Sequence, residues 1–258
     1  MIRPNQLALG YGATMAAGVY LTEFSVAAFG LPTLGMLLIL ADGIFRPASS
    51  VLMPTITHGP REGRKIALTF DDGPDPEVTP QILDTLKEFN ARATFYCIGR
   101  HSEQYPALMQ RIVAEGHALG NHSYQHARTL NFRGAAFQQR EIQHANDVIR
   151  RFAPTQPSIT YRPPVGLKNP PLAKVMDRLR MPVVAWSVHS RDTRSSNPEK
   201  IARRVLNRLR PGDIVVMHDG HDLQGKSRPA TADALRRILD GVRERNLKPV
   251  TIGELLGQ

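Results

Sequence analysis

Five short segments carry the side chains that could do chemistry: Thr69-Phe70-Asp71-Asp72-Gly73-Pro74, Asn121-His122-Ser123-Tyr124-Gln125-His126, Tyr161-Arg162-Pro163-Pro164-Val165-Gly166, Trp186-Ser187-Val188-His189-Ser190-Arg191-Asp192 and Val216-Met217-His218-Asp219. His122 and His126, four apart, offer two nitrogens, and Asp72 offers an oxygen. Such a set holds catalytic zinc or a related ion and leaves a position open for water and substrate. Each part alone says little. Two histidines four apart arise by chance on polar loops, and Asp-Asp before Gly-Pro is a common turn with a helix cap. Their joint occurrence carries the weight. Consecutive side chains on an extended backbone point opposite ways. One aspartate can therefore bind the metal while its neighbour faces the substrate water. Asp71 then serves as general base on water polarised by the metal. Amide hydrolysis also needs a proton for the departing amine. His218 titrates in the right range for that, and Asp192 is placed to favour its charged form. The tetrahedral intermediate needs the metal and a backbone N–H, for which Val165 is the candidate. Arg162 either holds and orients the Asp71 carboxylate or bonds strand-end carbonyls.

The elements around these segments alternate. Strands are expected at Lys65–Phe70, Ala93–Ile98, Ala118–His122, Ile159–Arg162, Val183–Val188, Asp213–His218 and Lys248–Ile252, each short, apolar and often β-branched. Between them lie apolar helical faces marked by Ile82, Leu83, Leu86 and Phe89, by Leu108, Ile112 and Val113, by Ile142, Val148 and Phe152, by Ile201, Val205 and Leu209, and by Leu235, Ile238 and Val242. Thr79 reads as a cap with Pro80 in the first turn. The pattern is α/β, with parallel strands and helices packed outside. About seven strands suggest a barrel, complete or not, with its chemistry at the C-terminal strand ends. All five polar segments follow strands. Asp219 and Asp222 read as loop caps, and His221 as an exposed loop residue, with reach into the cleft as the lesser alternative.

The remainder of the chain narrows the setting. Of 33 basic and 23 acidic side chains, residues 1–60 hold only Arg3, Arg46, Glu23 and Asp42, leaving 31 and 21 in the rest. That basic domain suits an acidic glycan or anionic headgroups, but no Lys/Arg block or motif points to nucleic acid, and none is expected as a partner. The lone Cys97 excludes an internal disulfide and reads as a buried strand thiol. Residues 7–41 carry Glu23 as their only charge. They are expected to attach the protein to a membrane, the bacterial inner membrane, through one or two spans. The basic residues that follow, Arg46, Arg61, Arg64 and Lys65, would put the catalytic side in the cytoplasm. The expected domains are thus an anchoring region, 1–57, and a catalytic domain, 58–258.

These five segments, in this order, resemble the five motifs of the NodB-homology polysaccharide deacetylases, carbohydrate esterase family 4, over about residues 64–256. The resemblance implies a distorted (β/α) barrel and a divalent ion, commonly zinc. It implies Asp71 as base, Asp72, His122 and His126 as metal ligands, and His218 as acid. The expected activity is removal of N-acetyl groups from an amino sugar in a glycan or lipid-linked saccharide. There are departures. Where the family's fourth motif often reads Asp-x-x-Asp-Trp, this chain has His189-Ser190-Arg191-Asp192-Thr193. Val216 stands for a usual Leu and Val165 for a usual Tyr. With Trp186, these two are expected to line the substrate and oxyanion side. Two alternatives stay open: hydrolysis of another acyl group (ester, formamide or cyclic imide), and a non-catalytic glycan-binding protein.

Overall fold

The computed structural model describes residues 9–13, 26–127, 129–220 and 228–257. Its strands are β1 (Thr55–Ile56), β2 (Lys65–Asp71), β3 (Thr94–Cys97), β4 (Ala118–Asn121), β5 (Val183–Val184), β6 (Val188–His189), β7 (Ile214–His218) and β8 (Lys248–Val250). Every ladder between them is parallel, in the order β4-β3-β2-β7-β6, with β8 also on β2 and β1 on β5. Past Lys65, β2 is buried along its whole length, as expected of a strand covered on both faces. Alternation then sorts its side chains. Ile66, Leu68 and Phe70 join the larger core with the helices, whereas Ala67 joins a smaller interior cluster with Tyr96, Val184 and Ile214. Asp71, four residues after Ala67, shares that interior face.

Two expected strands come out differently. Ile159–Arg162 contributes only isolated bridges, from Tyr161 to Asn121 and to Val183. Pro157, Pro163 and Pro164 crowd this segment and supply no N–H for a ladder. Val183–Val188 is broken in two because the chain changes neighbours there. Ala185 N–H donates to Ile56, and Ser187 N–H donates to Ile214. Among the described residues the two-stranded β1-β5 ladder therefore meets β4 only through the bridges of Tyr161, which interrupts regular closure.

Outside pack the helices α1 (Val26–Phe45), α2 (Val78–Glu88), α3 (Gly99–Gln104), α4 (Pro106–Ala114), α5 (Ala135–Phe152), α6 (Pro170–Leu179), α7 (Pro198–Leu206), α8 (Pro229–Glu244) and α9 (Ile252–Leu256). Helices α3, α6 and α9 lie where none was expected. Helix α6 starts with Asn169 accepting from Leu172 N–H at 2.7 Å, ahead of Pro170, an ordinary N-terminal signal. Thr79 is not a cap. It lies inside α2, Asp75 Oδ1 accepts from the Glu77 and Val78 N–H groups, and the Thr79 hydroxyl donates to Asp219. Asp219 is thus an interior acceptor rather than a loop cap, while His221 and Asp222 lie outside the described residues.

The N-terminal region also departs from expectation. Leu40 and Ile44 of α1 pack on the core. Buried Lys168 donates through Nζ to the carbonyls of Pro47, at 2.9 Å, and Ser49, and through its N–H to Ile44. Leu52 and Met53 enter the core and β1 pairs with β5, so packing of the folded domain begins upstream of residue 58. Leu31, Leu34, Leu37, Leu38 and Phe45 stay exposed. Among the described residues no helix is long and apolar enough to cross a membrane. The expected spans over residues 7–41 are not found there; α1 contains Pro32, and its last turns pack on the core. Residues 1–8 and 14–25, Glu23 included, lie outside the described residues.

Candidate active site and metal centre

Asp71 ends β2, and the register pairs it with Tyr96 on β3 and His218 on β7. Asp72 follows in a left-handed conformation, φ 77°, which turns its carboxylate toward the end of β4. There Asn121 anchors a tight turn. Its Oδ1 accepts from Ser123 N–H, and its Nδ2 donates to Ile142 and Asn146. With Ser123 and His126 also left-handed, both imidazoles face one carboxylate oxygen. Asp72 Oδ1 lies 3.5 Å from His122 Nε2 and 3.4 Å from His126 Nε2.

These residues fit a divalent cation. One ligand atom from each of Asp72, His122 and His126 lies within 4.8 Å of the others, and all three residues are buried. The imidazole–carboxylate distances are long for hydrogen bonds and suit atoms gathered round a shared centre. His122 Nδ1 lies 2.8 Å from the Arg162 carbonyl. A carbonyl only accepts, so Nδ1 carries the proton and Nε2 keeps its lone pair, the arrangement expected of a metal-ligating histidine. His126 Nδ1 is buried with no partner among the described residues. Burial and the neighbouring His122 push His126 down to about 4. Burial would raise the Asp72 carboxyl, but the surrounding imidazoles of His122, His218 and His126 hold it well below the usual carboxylate range. A neutral histidine and an ionised carboxylate are the states metal ligation requires.

Arg162 bonds both the Asp71 carboxylate and backbone carbonyls. Its fully buried guanidinium donates to Asp71 Oδ1 at 2.6 Å and Thr69 Oγ1 at 2.7 Å, and to the Val184 and Ala185 carbonyls. It also lies 4.0 Å from the Tyr96 ring centroid. His218 is equally tied. His218 Nδ1–H donates to Asp192 Oδ1 at 2.9 Å, and the His218 backbone N–H to Oδ2 at 2.7 Å. Asp192 also accepts from the Ser190 and Thr231 hydroxyls. Burial alone would push His218 down, but the Asp192 charge and hydrogen bond, with Asp72 and Asp71 beyond, push it up to about 9. Burial would raise Asp192, but the His218 charge and these hydrogen bonds bring it down to about 2.

The expected substrate-side residues are less alike. Val165 is exposed and left-handed at φ 58°. Trp186 lies edge-on to His189, 5.5 Å between centroids. Gly166 lets the third segment close on Trp186 and Pro47, since a Cβ there would lie 2.8 Å from the indole and 2.7 Å from the proline. Val216 is buried in β7, two residues below His218 on the same face, so it forms floor rather than open wall. His189 stands 6.2 Å from His218, ring to ring. Burial and the His218 charge push it down to about 4, and its Nδ1 accepts from Arg191 N–H. Sequence reasoning passed over Arg228 and Thr231, which reach Asp72 and Asp192 from the start of α8. Neither follows a strand. Their only signal is Pro229, which marks a helix start between them.

Parallel strands that carry, at one end, a three-ligand cation set beside a tethered carboxylate and a tethered imidazole have the parts of a metal-dependent hydrolase. A family model described as polysaccharide deacetylase matches residues 58–184. A peptidoglycan-N-acetylglucosamine deacetylase of Bacillus cereus is 34% identical over 199 residues, 76% of this chain and 90% of that protein. A chitooligosaccharide deacetylase of Azorhizobium caulinodans is 32% identical over 188 residues, 70% of this chain and 89% of that protein. A crystal structure of the Bc1960 peptidoglycan N-acetylglucosamine deacetylase matches with a TM-score of 0.74 at 30% identity, covering 79% of this chain and 93% of that one. The chain belongs to the polysaccharide deacetylase family, enzymes acting on carbon–nitrogen bonds other than peptide bonds.

Proposed function

We propose that the protein removes N-acetyl groups from an amino sugar of a cell-envelope glycan, with zinc as its cation. The observation that carries this reading is the pairing of Asp71 with His218 on adjacent strands. Each is held by its own buried partner, Arg162 or Asp192, beside the Asp72, His122 and His126 set. Two nitrogens and one oxygen suit zinc. When bound, the cation would act as a Lewis acid toward water and the amide oxygen. Asp71 takes the proton from the attacking water, and Arg162 keeps that carboxylate in place. His218 gives its proton to the departing amine nitrogen, and Asp192 holds the imidazole in the orientation for that transfer. The Val165 N–H is the proposed donor to the developing oxyanion. The name of the Bacillus cereus relative supports N-acetylglucosamine as the sugar, and that of the Azorhizobium caulinodans relative supports an oligosaccharide substrate.

The protein's place is proposed as a membrane surface. The support is α1, whose exposed Leu31, Leu34, Leu37 and Leu38 form an apolar face of the kind that marks an interaction site.

The testing experiment measures acetate release from N-acetylglucosamine oligomers by the full chain, before chelation, after it, and after zinc return, with Asp71→Asn alongside. The expected result is release that chelation abolishes and zinc restores, and a variant that keeps its zinc but loses 10²-fold or more of the rate. An Asp71→Asn variant as active as the parent would overturn the assignment of the base. Zinc bound without acetate release would move the reading to another acyl substrate.

A further inference from the structure

The two oxygens of Asp72 are used differently. Oδ1 faces His122 and His126. Oδ2 accepts from Arg228 Nη1 at 3.0 Å, and the Arg228 side chain is only 16% exposed. Arg228 lies just ahead of Pro229, the first residue of α8, outside all five chemistry-bearing segments. Three residues on, Thr231 donates to Asp192 Oδ2 at 2.9 Å. The start of α8 thus reaches both the proposed cation ligand and the carboxylate behind the proposed acid. The helix is a firm support, since Ala232, Leu235, Ile238 and Leu239 are buried in the main core.

Without a second partner, the Asp72 carboxylate could turn about its terminal torsion and offer either oxygen, or both, to a cation. That torsion is broad and roughly two-fold. We infer that Arg228 is a positioning residue of the metal centre. It pins Oδ2 and so commits Oδ1 to the pocket formed with His122 and His126, which makes cation affinity partly a property of α8. This rests on the reading of Asp72, His122 and His126 as ligands. Arg228 also brings a positive charge near a cation site, which by itself opposes binding. At 16% exposure that repulsion is screened only in part, and it offsets some of the gain from the fixed orientation. Hydrogen-bond partners of metal ligands are typically worth about 10–100-fold in affinity, so orientation is the larger effect.

The test uses the full chain, stripped of metal and titrated with zinc against a chromophoric chelator. The parent is compared with Arg228→Met, Arg228→Lys and Thr231→Val, each checked by circular dichroism. Zinc affinity is expected to fall about tenfold or more in R228M, to recover in part in R228K, and to hold in T231V. R228M binding zinc as tightly as the parent, or more tightly, would overturn the inference. An equal loss in T231V would also overturn it, by making the loss a general loosening of the α8 turn. A parent that binds no zinc would instead remove the metal-centre reading beneath it.

Discussion

Replacing Asp192 by Asn keeps the size of the side chain and removes its charge. In the parent, His218 is held at about 9 against an ordinary 6.5. The difference of about 2.5 units corresponds to about 3 kcal/mol favouring the charged imidazole. The His218 side chain is only 14% exposed and that of Asp192 is fully buried, so little of this is lost to solvent screening. In D192N the burial that disfavours the charged ring remains, while its main compensation is gone. The ring should then titrate at 6.5 or below. At pH 7.5 the protonated fraction drops from nearly all to about a tenth or less. A bound cation shifts the parent and the variant alike, so the informative quantity is the difference between them. The alkaline limb of the kcat profile for acetate release should move down by about two units, and activity at pH 7.5 should fall at least tenfold. Stability supplies a second readout on metal-free protein. A folded-state pKa above the unfolded value stabilises below about 6.5, and the gain is lost as pH rises through about 9. Between pH 5 and 10, the Tm difference between parent and D192N should be greatest at the acid end and shrink through that window. Coincident alkaline limbs, or a Tm gap constant with pH, would refute the Asp192–His218 coupling.

Two other outcomes are expected. Arg162→Met leaves Asp71 buried without its cation and orphans two carbonyls. Breaking such a buried pair costs about 3–5 kcal/mol, a fall in Tm on the order of 10 °C, whereas Arg236→Met, at an exposed pair with Glu88, should leave Tm nearly unchanged. A thermal melt that ranks the two equally would show Arg162 to be dispensable to the fold. Replacing Leu31, Leu34, Leu37 and Leu38 together by Ser should abolish flotation of the chain with phospholipid vesicles while leaving acetate release from soluble oligomers intact. Flotation that survives the change would detach α1 from the membrane proposal.

What could be read from the sequence was what adjacency encodes. Asp71, Asp72, His122, Arg162 and His218 each follow an apolar run, and period-two alternation along β2 and β7 decides which side chains turn inward. The adjacent aspartates do not point opposite ways, as an extended backbone would have them: Asp72 is left-handed, and both carboxylates approach His122 Nε2, Asp71 at 4.0 Å and Asp72 at 3.5 Å. Illegible were contacts made across the sheet by residues with no local mark. Tyr161 looks like the middle of a strand, yet it serves as a single bridge because prolines flank it. Lys168 looks like a surface cation, yet it is buried under the carbonyls of Pro47 and Ser49, where burial pushes it down to about 8. The apolar N-terminal run was read by its length and its lack of charge, and neither shows that Leu40 and Ile44 pack on the core. The aspartate pair shows the division most clearly. Sequence places two carboxylates side by side but cannot say what keeps their charges apart. In the fold each has its own arginine, Arg162 from the third segment for Asp71 and Arg228 from α8 for Asp72. In the proposed mechanism, those separate partners let one carboxylate face a cation while its neighbour takes a proton.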